Sequence, residues 1–265
     1  MKQLIIVKNM VGIIALQKII IIKGILIMVK IIEPHVEVIS EIDGDKILKQ
    51  IERCARNCYK SEGNISEDTT SAVKMISKLI ELNHTAMIEF ADIIVNLICD
   101  IGVYKDLTRH RHCSFAIEST RYCNYSKGKF GNEISVIKPC NMDENSGIYH
   151  TWLKSMTDME KAYMQMAELG ALPDQLRMVL PHSCAASVMM KANIREWRHI
   201  FQLRCAKQAH PSVRQIMLLT LNEFHNKIPV LFDDLFSEYK QDIIDTYSKL
   251  ETNSETGILY SNSNL

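Results

Sequence analysis

The chain has 265 residues, with 31 Lys and Arg against 31 Asp and Glu, 47% hydrophobic residues and 23% charged ones. That length suffices for a hydrophobic core without disulfide or metal staples, and zero formal charge excludes a generic polyanion binder, so any basic site must be local. Ten glycines and six prolines, roughly half of ordinary usage, exclude collagen-like, linker-rich and turn-dense all-β chains.

In chain order, residues 1–28 stand apart. The first 32 residues carry Lys2, Lys8, Lys18, Lys23 and Lys30, no acid, and an isoleucine-heavy run from Met10 to Met28. A basic start before an apolar run suggests a signal or an anchor. Gln17, Lys18 and Lys23 interrupt the run well short of the roughly 18 apolar residues that a membrane span requires, and no small-residue cleavage site follows. The expectation is a dispensable extension, upstream of a start at Met28, with no membrane role.

Residues 30–39 partly alternate and read as a strand pair broken at Pro34. Residues 45–58 place Ile47, Leu48, Ile51 and Ala55 on one helical face, and residues 67–82 repeat the period with Val73, Ile76, Leu79 and Ile80. Residues 91–98 are β-branched and nearly continuous in apolar character, as in a buried strand, and residues 100–110 turn helical. An irregular stretch over 123–132 leads to a short strand at 134–137. From Tyr149 onward the period is helical except over 183–190. Pro211 opens a further helix whose face is Val213, Ile216, Met217, Leu221, Phe224 and Ile228. The polar segment 252–265 reads as a tail. No repeat or Ser/Gly linker divides 29–251, so the expected architecture is one α+β domain.

Cys54, Cys58, Cys99, Cys113, Cys123, Cys140, Cys184 and Cys205 include no CxxC pair and sit mostly in apolar or helical stretches. This favours a reduced, cytoplasmic chain with incidental thiols over a disulfide framework.

The segment 108–122 is the informative one. Arg109, Arg111 and Arg121, with His110 and His112, fall within fourteen positions beside a buried strand and helix. Guanidinium forks fixed on a scaffold suit phosphate or carboxylate, because they donate two hydrogen bonds at once and do not lose their charge. A solvated basic face is the bland alternative. Ser119 is at least a turn or capping residue, and no His or Lys base is placed by sequence to make it a nucleophile. His84, His110 and His112 lack zinc-site spacing and a thiol pair, so no metal is expected. Arg195 and Arg198 alone would pass as helix-surface charges, and Trp197, Met189 and Met190 as core.

The order Arg109-His110-Arg111, seven residues, Ser119, resembles the signature of the flavin-dependent thymidylate synthases, and Ser119-Thr-Arg-Tyr122 continues as that family does. Three more blocks agree. His84 with Glu89 resembles the family's His-x-Ser/Thr-x-x-Glu-His stretch, Arg177 to Pro181 its Arg-x-x-Leu-Pro turn, and Asn193-Ile-Arg195, His199 and Leu203-Arg204 its Asn-x-Arg and Leu-Arg helix. Together they span roughly residues 50 to 230.

The resemblance implies a central, mostly antiparallel sheet flanked by helices. It also implies methylation of deoxyuridylate (dUMP) to thymidylate (dTMP), with 5,10-methylenetetrahydrofolate as carbon donor, FAD as hydride carrier and NADPH as reductant, in a homotetramer with FAD at subunit interfaces. It assigns His84, Arg109, His110, Arg111, Asn193, Arg195 and His199 to FAD. It assigns Asp106, Arg109, Glu118, Ser119, Arg121, Arg177 and Arg204 to dUMP, with Arg204 also catalytic at the uracil edge. The chain departs from the family where Ala116 and Ile117 replace Asn-Glu, leaving Glu118 as the candidate substitute, and where Ala86, Phe90 and Asp106 stand for a hydroxyl residue, a histidine and Glu or Gln. Rival classes are a non-catalytic flavin or nucleotide module, which has no need of both Arg204 and His84, and an RNA-binding protein. The latter sits poorly with 7% aromatics and zero net charge.

Overall fold

The computed structural model describes residues 29–252 and, as backbone, two antiparallel two-residue strands, β1 (Ile21–Ile22) and β2 (Ile25–Leu26). The rest of the 1–28 extension and the tail beyond Thr252 lie outside the described residues.

Pro34 separates β3 (Lys30–Ile32) from β4 (His35–Val38), as the alternation predicts, but the two strands enter different sheets. The strand β3 pairs in parallel with β7 (Ser135–Ile137). The main sheet has four antiparallel strands in the order β4, β5 (Asp92–Asp100), β8 (Ala185–Asn193) and β6 (Cys113–Ile117). Ile93, Val95, Leu97 and Cys99 of β5 and Ala186, Val188, Met190 and Ala192 of β8 point into the core, while their alternates are half-buried or exposed. The continuous apolar run of β5 therefore serves two unequal faces, not burial on both sides.

Helices cover the apolar face. They are α1 (Gly44–Asn57), α2 (Thr70–Glu81), α3 (Ile101–Leu107), α6 (Ile194–Arg204), α7 (Pro211–Lys227) and α8 (Pro229–Thr252), while α4 (Gly147–Glu168) and the single turn α5 (Pro173–Leu176) pack with β7 in a second apolar cluster. Sequence capping accounts for several starts: Asp43, Asp100, Ser146 and Asn193 each accept a hydrogen bond from an amide of the first turn of their helices. The helix α7 is buried nearly all round, since Leu218, Leu219, Thr220 and Asn222 are covered along with the expected face. One buried ion pair ties the first two helices together. Arg56 Nε donates to Glu52 Oε1 at 2.7 Å, and Ser71 Oγ of α2 donates to Glu52 Oε2 at 2.9 Å.

Four expectations need correction. The second helix starts at Thr70 instead of Glu67, and Val73 is exposed while Ala72 takes the buried place. The segment 171–184 is mostly turn and single-turn helix, and β8 runs on to Asn193, because pairing with two neighbours extends it beyond its apolar residues. The strand β6 lies inside the basic segment, where its five residues carry too short an alternation to stand out. Trp197 and Met190 are core, but Met189 is exposed.

Candidate active site

The edge strand β6 organises the site by separating its two halves. Its register, from Cys113 opposite Ala192 to Ile117 opposite Val188, puts Arg109, His110 and Arg111 at the Asn193 end of β8. Glu118, Ser119 and Arg121 fall at the other end, separated by five residues of extended chain, roughly 15 Å.

At the first end α6 supplies the chemistry. Asn193 caps it, its Oδ1 accepting from Glu196 N at 2.8 Å, which fixes the entry angle so that Arg195, Glu196 and His199 follow on the first turns and Arg204 on the last. Arg204 there also complements the negative end of the helix dipole. Its Nε donates to His110 Nε2 at 3.1 Å and its Nη2 to the Asp106 carbonyl at 3.1 Å. His110 is 8% exposed, and its Nδ1 faces Glu196 Oε1 at 3.6 Å. Since Nε2 accepts, Nδ1 carries the proton, so a neutral imidazole holds the Arg204 fork in place. Burial first, then the cations Arg204 and, when protonated, His199, hold the His110 pKa down at about 4.

Arg195 pairs with Glu89 at 2.5 Å, and an open cleft of about 490 Å³ lies beside them, lined by Asn193, Arg195, His199, His112, Asn83 and Thr85 among others. His84 is exposed at the start of the 3-10 segment Thr85–Phe90, next to that cleft. Arg109 and Arg111 are exposed nearby in sequence and hydrogen-bond no described side chain. Arg198 also lines the cleft, but its guanidinium is committed to Asp234 and the Leu231 carbonyl.

At the second end, the Ser119 carbonyl accepts from the amides of Tyr122 and Cys123, at 3.0 and 2.9 Å, in a turn that presents Arg121 over the Tyr122 ring at 5.7 Å. Glu118 faces inward: Tyr125 Oη donates to its Oε1 at 2.7 Å, and Ser187 N to its Oε2 at 3.3 Å. Arg177 is exposed at the start of a 3-10 turn, Arg177–Val179. The structure thus gathers Asn193, Arg195, His199, His110 and Arg204 around one region and leaves Ser119, Arg121 and Arg177 outside it. Glu196 belongs to the first group and was missed from the sequence. Its only signal was its place in the first turn after a capping asparagine, where a carboxylate is favoured in any helix. Among the described residues no helix is long and apolar enough to cross a membrane.

The state of His110 has a measurable consequence. Its value in the folded chain lies below the ordinary one near 6.5, so the unfolded chain takes up the proton first and stability is lost as pH falls from about 6.5 to about 4. Glu160 opposes this. Burial raises its pKa to about 7, so its contribution is lost as pH rises from 4.5 towards 7. Urea unfolding of wild type and His110→Gln between pH 4 and 6.5 separates the two, since Glu160 is common to both. Wild type is expected to lose up to about 1.4 kcal/mol per pH unit relative to the variant; parallel curves would mean that His110 is not held neutral.

An antiparallel sheet that gathers arginines, a neutral histidine and a capped helix start beside one cleft is a scaffold for an anionic, planar ligand. The family described as Thymidylate synthase complementing protein matches residues 38–230, and the chain belongs to that family. It is similar to proteins named flavin-dependent thymidylate synthase. The one from Corynebacterium glutamicum is 24% identical over 218 residues, covering 75% of this chain and 83% of that protein. The one from Mycobacterium leprae is 23% identical over 224 residues, covering 76% and 84%. The one from Pyrococcus abyssi is 24% identical over 160 residues, covering 60% and 64%.

Proposed function

We propose that this chain is a flavin-dependent thymidylate synthase: it methylates dUMP to dTMP reductively, with 5,10-methylenetetrahydrofolate as carbon donor, FAD as hydride carrier and NADPH as reductant. The observation that carries this reading is the Arg204–His110 junction beside the cleft of Asn193, Arg195 and His199, residues up to 94 positions apart in the chain. The cleft's donors suit FAD, because amide, imidazole and guanidinium groups match a flavin edge and a pyrophosphate. Bound there, FAD supplies the two-electron chemistry that no side chain of the site has.

In this reading Asn193, Arg195 and His199 line the flavin, with His84 close by, while Arg109, His110 and Arg111 divide between FAD and dUMP. Ser119 and Arg121 hold the nucleotide phosphate, Arg177 contacts the nucleotide from its own turn, and Asp106 stands beside it. Arg204 faces the uracil edge. There its permanent charge favours the anionic form of the ring and makes C5 more nucleophilic. His110 keeps that fork oriented without adding a second positive charge.

The reading includes a homotetramer with FAD at the subunit interfaces, as the family resemblance implies, a catalytic domain over 29–251, and a cytoplasmic location with no nucleic acid or membrane partner. The test is purification with added FAD, a visible absorption spectrum, light scattering and a dUMP methylation assay. The expected result is a yellow tetramer that turns over only with folate and NADPH present. A colourless monomer, inactive after FAD is added, would sink the reading.

A further inference from the structure

The outer face of β6 carries Ser114, Ala116 and then Glu118, and a carboxylate there would ordinarily sit in water. Instead both of its oxygens are used. Tyr125, which donates to Oε1 at 2.7 Å, is only 8% exposed, and its own amide donates to Tyr163 Oη at 3.2 Å. Ser187, which donates its amide to Oε2, also accepts from Glu118 N at 2.9 Å and gives its hydroxyl to Asn96 Oδ1 at 2.8 Å. Glu118 therefore joins the residue just before the 119–124 loop to the residue just after it, and pins both to the central strand β8. The loop between them is also held by the two amides that reach the Ser119 carbonyl, by the Asn124 side chain, which accepts from Ser126, by the Asn124 carbonyl, which accepts from Lys127 N at 3.1 Å, and by the Cys123 thiol beside Glu118. It carries exposed Arg121 and Tyr122.

We infer that Glu118 is a positioning residue, not a nucleotide ligand: its carboxylate, gripped by the Tyr125 hydroxyl and the Ser187 amide, clamps the 119–124 loop to the sheet and sets where Ser119 and Arg121 meet a phosphate. The inference rests on the proposed function for the identity of that phosphate, but not for the clamp itself. A carboxylate accepting from a buried hydroxyl makes a charge-assisted bond, stronger than a neutral one. A loop clamped at both ends pays less ordering entropy when its side chains close on a ligand.

Substitutions at two positions probe the clamp from opposite sides. Tyr125→Phe removes one hydroxyl and leaves the buried ring. Glu118→Ala removes the acceptor, and Glu118→Gln keeps one acceptor oxygen while turning an amide donor towards the Ser187 amide or the Tyr125 hydroxyl. Hydrogen exchange of the 119–125 peptide reads the clamp directly and needs no substrate; faster exchange is expected in Tyr125→Phe and Glu118→Ala, with Glu118→Gln between them and wild type. In the methylation assay the KM for dUMP is expected to rise about tenfold in either variant, the scale of one lost bond to a charged group, with kcat changed less than about twofold. The double variant should be no worse than the poorer single one, since both break the same unit.

Unchanged exchange in both single variants overturns the clamp, as does faster exchange with an unaltered KM. A Glu118→Ala effect far larger than that of Tyr125→Phe, adding to it in the double variant, would make Glu118 a direct ligand. Should Tyr125→Phe fail to fold, Glu118→Gln carries the same comparison. If wild type neither binds nor methylates dUMP, the functional reading falls, and the exchange data alone still decide the clamp.

Discussion

Arg204→Ala is expected to lower the maximal rate of dUMP methylation by about 10²–10³-fold even at saturating dUMP, equivalent to about 2.7–4 kcal/mol of transition-state stabilisation. The structure sharpens the reason. Arg204 is locked by His110 and the Asp106 carbonyl at the end of a helix whose start is capped, so its fork is aimed before substrate arrives. Charge that develops on the uracil ring is a transition-state feature, and its loss lowers kcat. Arg121, exposed over Tyr122 on the loop at the far end of β6, has a different role. A phosphate contact remote from the reacting carbon acts alike in ground and transition states, so Arg121→Ala should chiefly raise KM. Lysine at either position should rescue only partly, since a point charge does not reproduce the planar fork. Steady-state assays of both alanine variants, after each is shown to bind FAD, decide the matter; a normal maximal rate in Arg204→Ala with an abolished one in Arg121→Ala would reverse the assignment.

Trp197→Ala is expected to destabilise the chain by about 3–5 kcal/mol, the usual cost of a large aromatic-to-alanine cavity. Trp197 is fully buried, stacks on Phe201 at 5.8 Å between centroids, meets Phe224 edge-on at 5.0 Å, and donates Nε1–H to the Ile93 carbonyl of β5 at 3.1 Å. It lies on α6 between Arg195 and His199, so the same side chain that fills the core fixes the rotation of the helix that presents the cleft. Trp197→Phe should cost less, because the ring contacts survive and only the hydrogen bond to Ile93 is lost. Urea unfolding followed by circular dichroism measures both, with the midpoint expected to fall in the order wild type, Phe, Ala. An alanine variant within about 1 kcal/mol of wild type would mean that the aromatic cluster is not closely packed.

Helix faces such as Leu48, Ile51 and Ala55, or Val213, Ile216 and Phe224, were legible because period and burial coincide along one element. The break at Pro34 was legible because proline cannot donate to a ladder. The ordered set of Arg109-His110-Arg111, Ser119, Arg177, Asn193, Arg195 and Arg204 was likewise written in the linear chain, as residue types at fixed spacings. What the chain order does not contain is which of these residues meet. His110 finds Arg204, 94 positions away, because β6 begins with Cys113 opposite Ala192, at the end of the sheet where α6 leaves β8. From the chain order Glu118 reads only as a candidate carboxylate contact to the nucleotide; the fold is what sets it against the Tyr125 hydroxyl and the Ser187 amide. The strand β6 was hidden because five residues with serine and alanine on one side carry little hydrophobic signal; only its ladder with β8 makes it a strand. Local periodicity is a property of neighbours in sequence, whereas hydrogen bonds between strands and the neutralisation of a buried histidine depend on atoms that only the folded chain brings together.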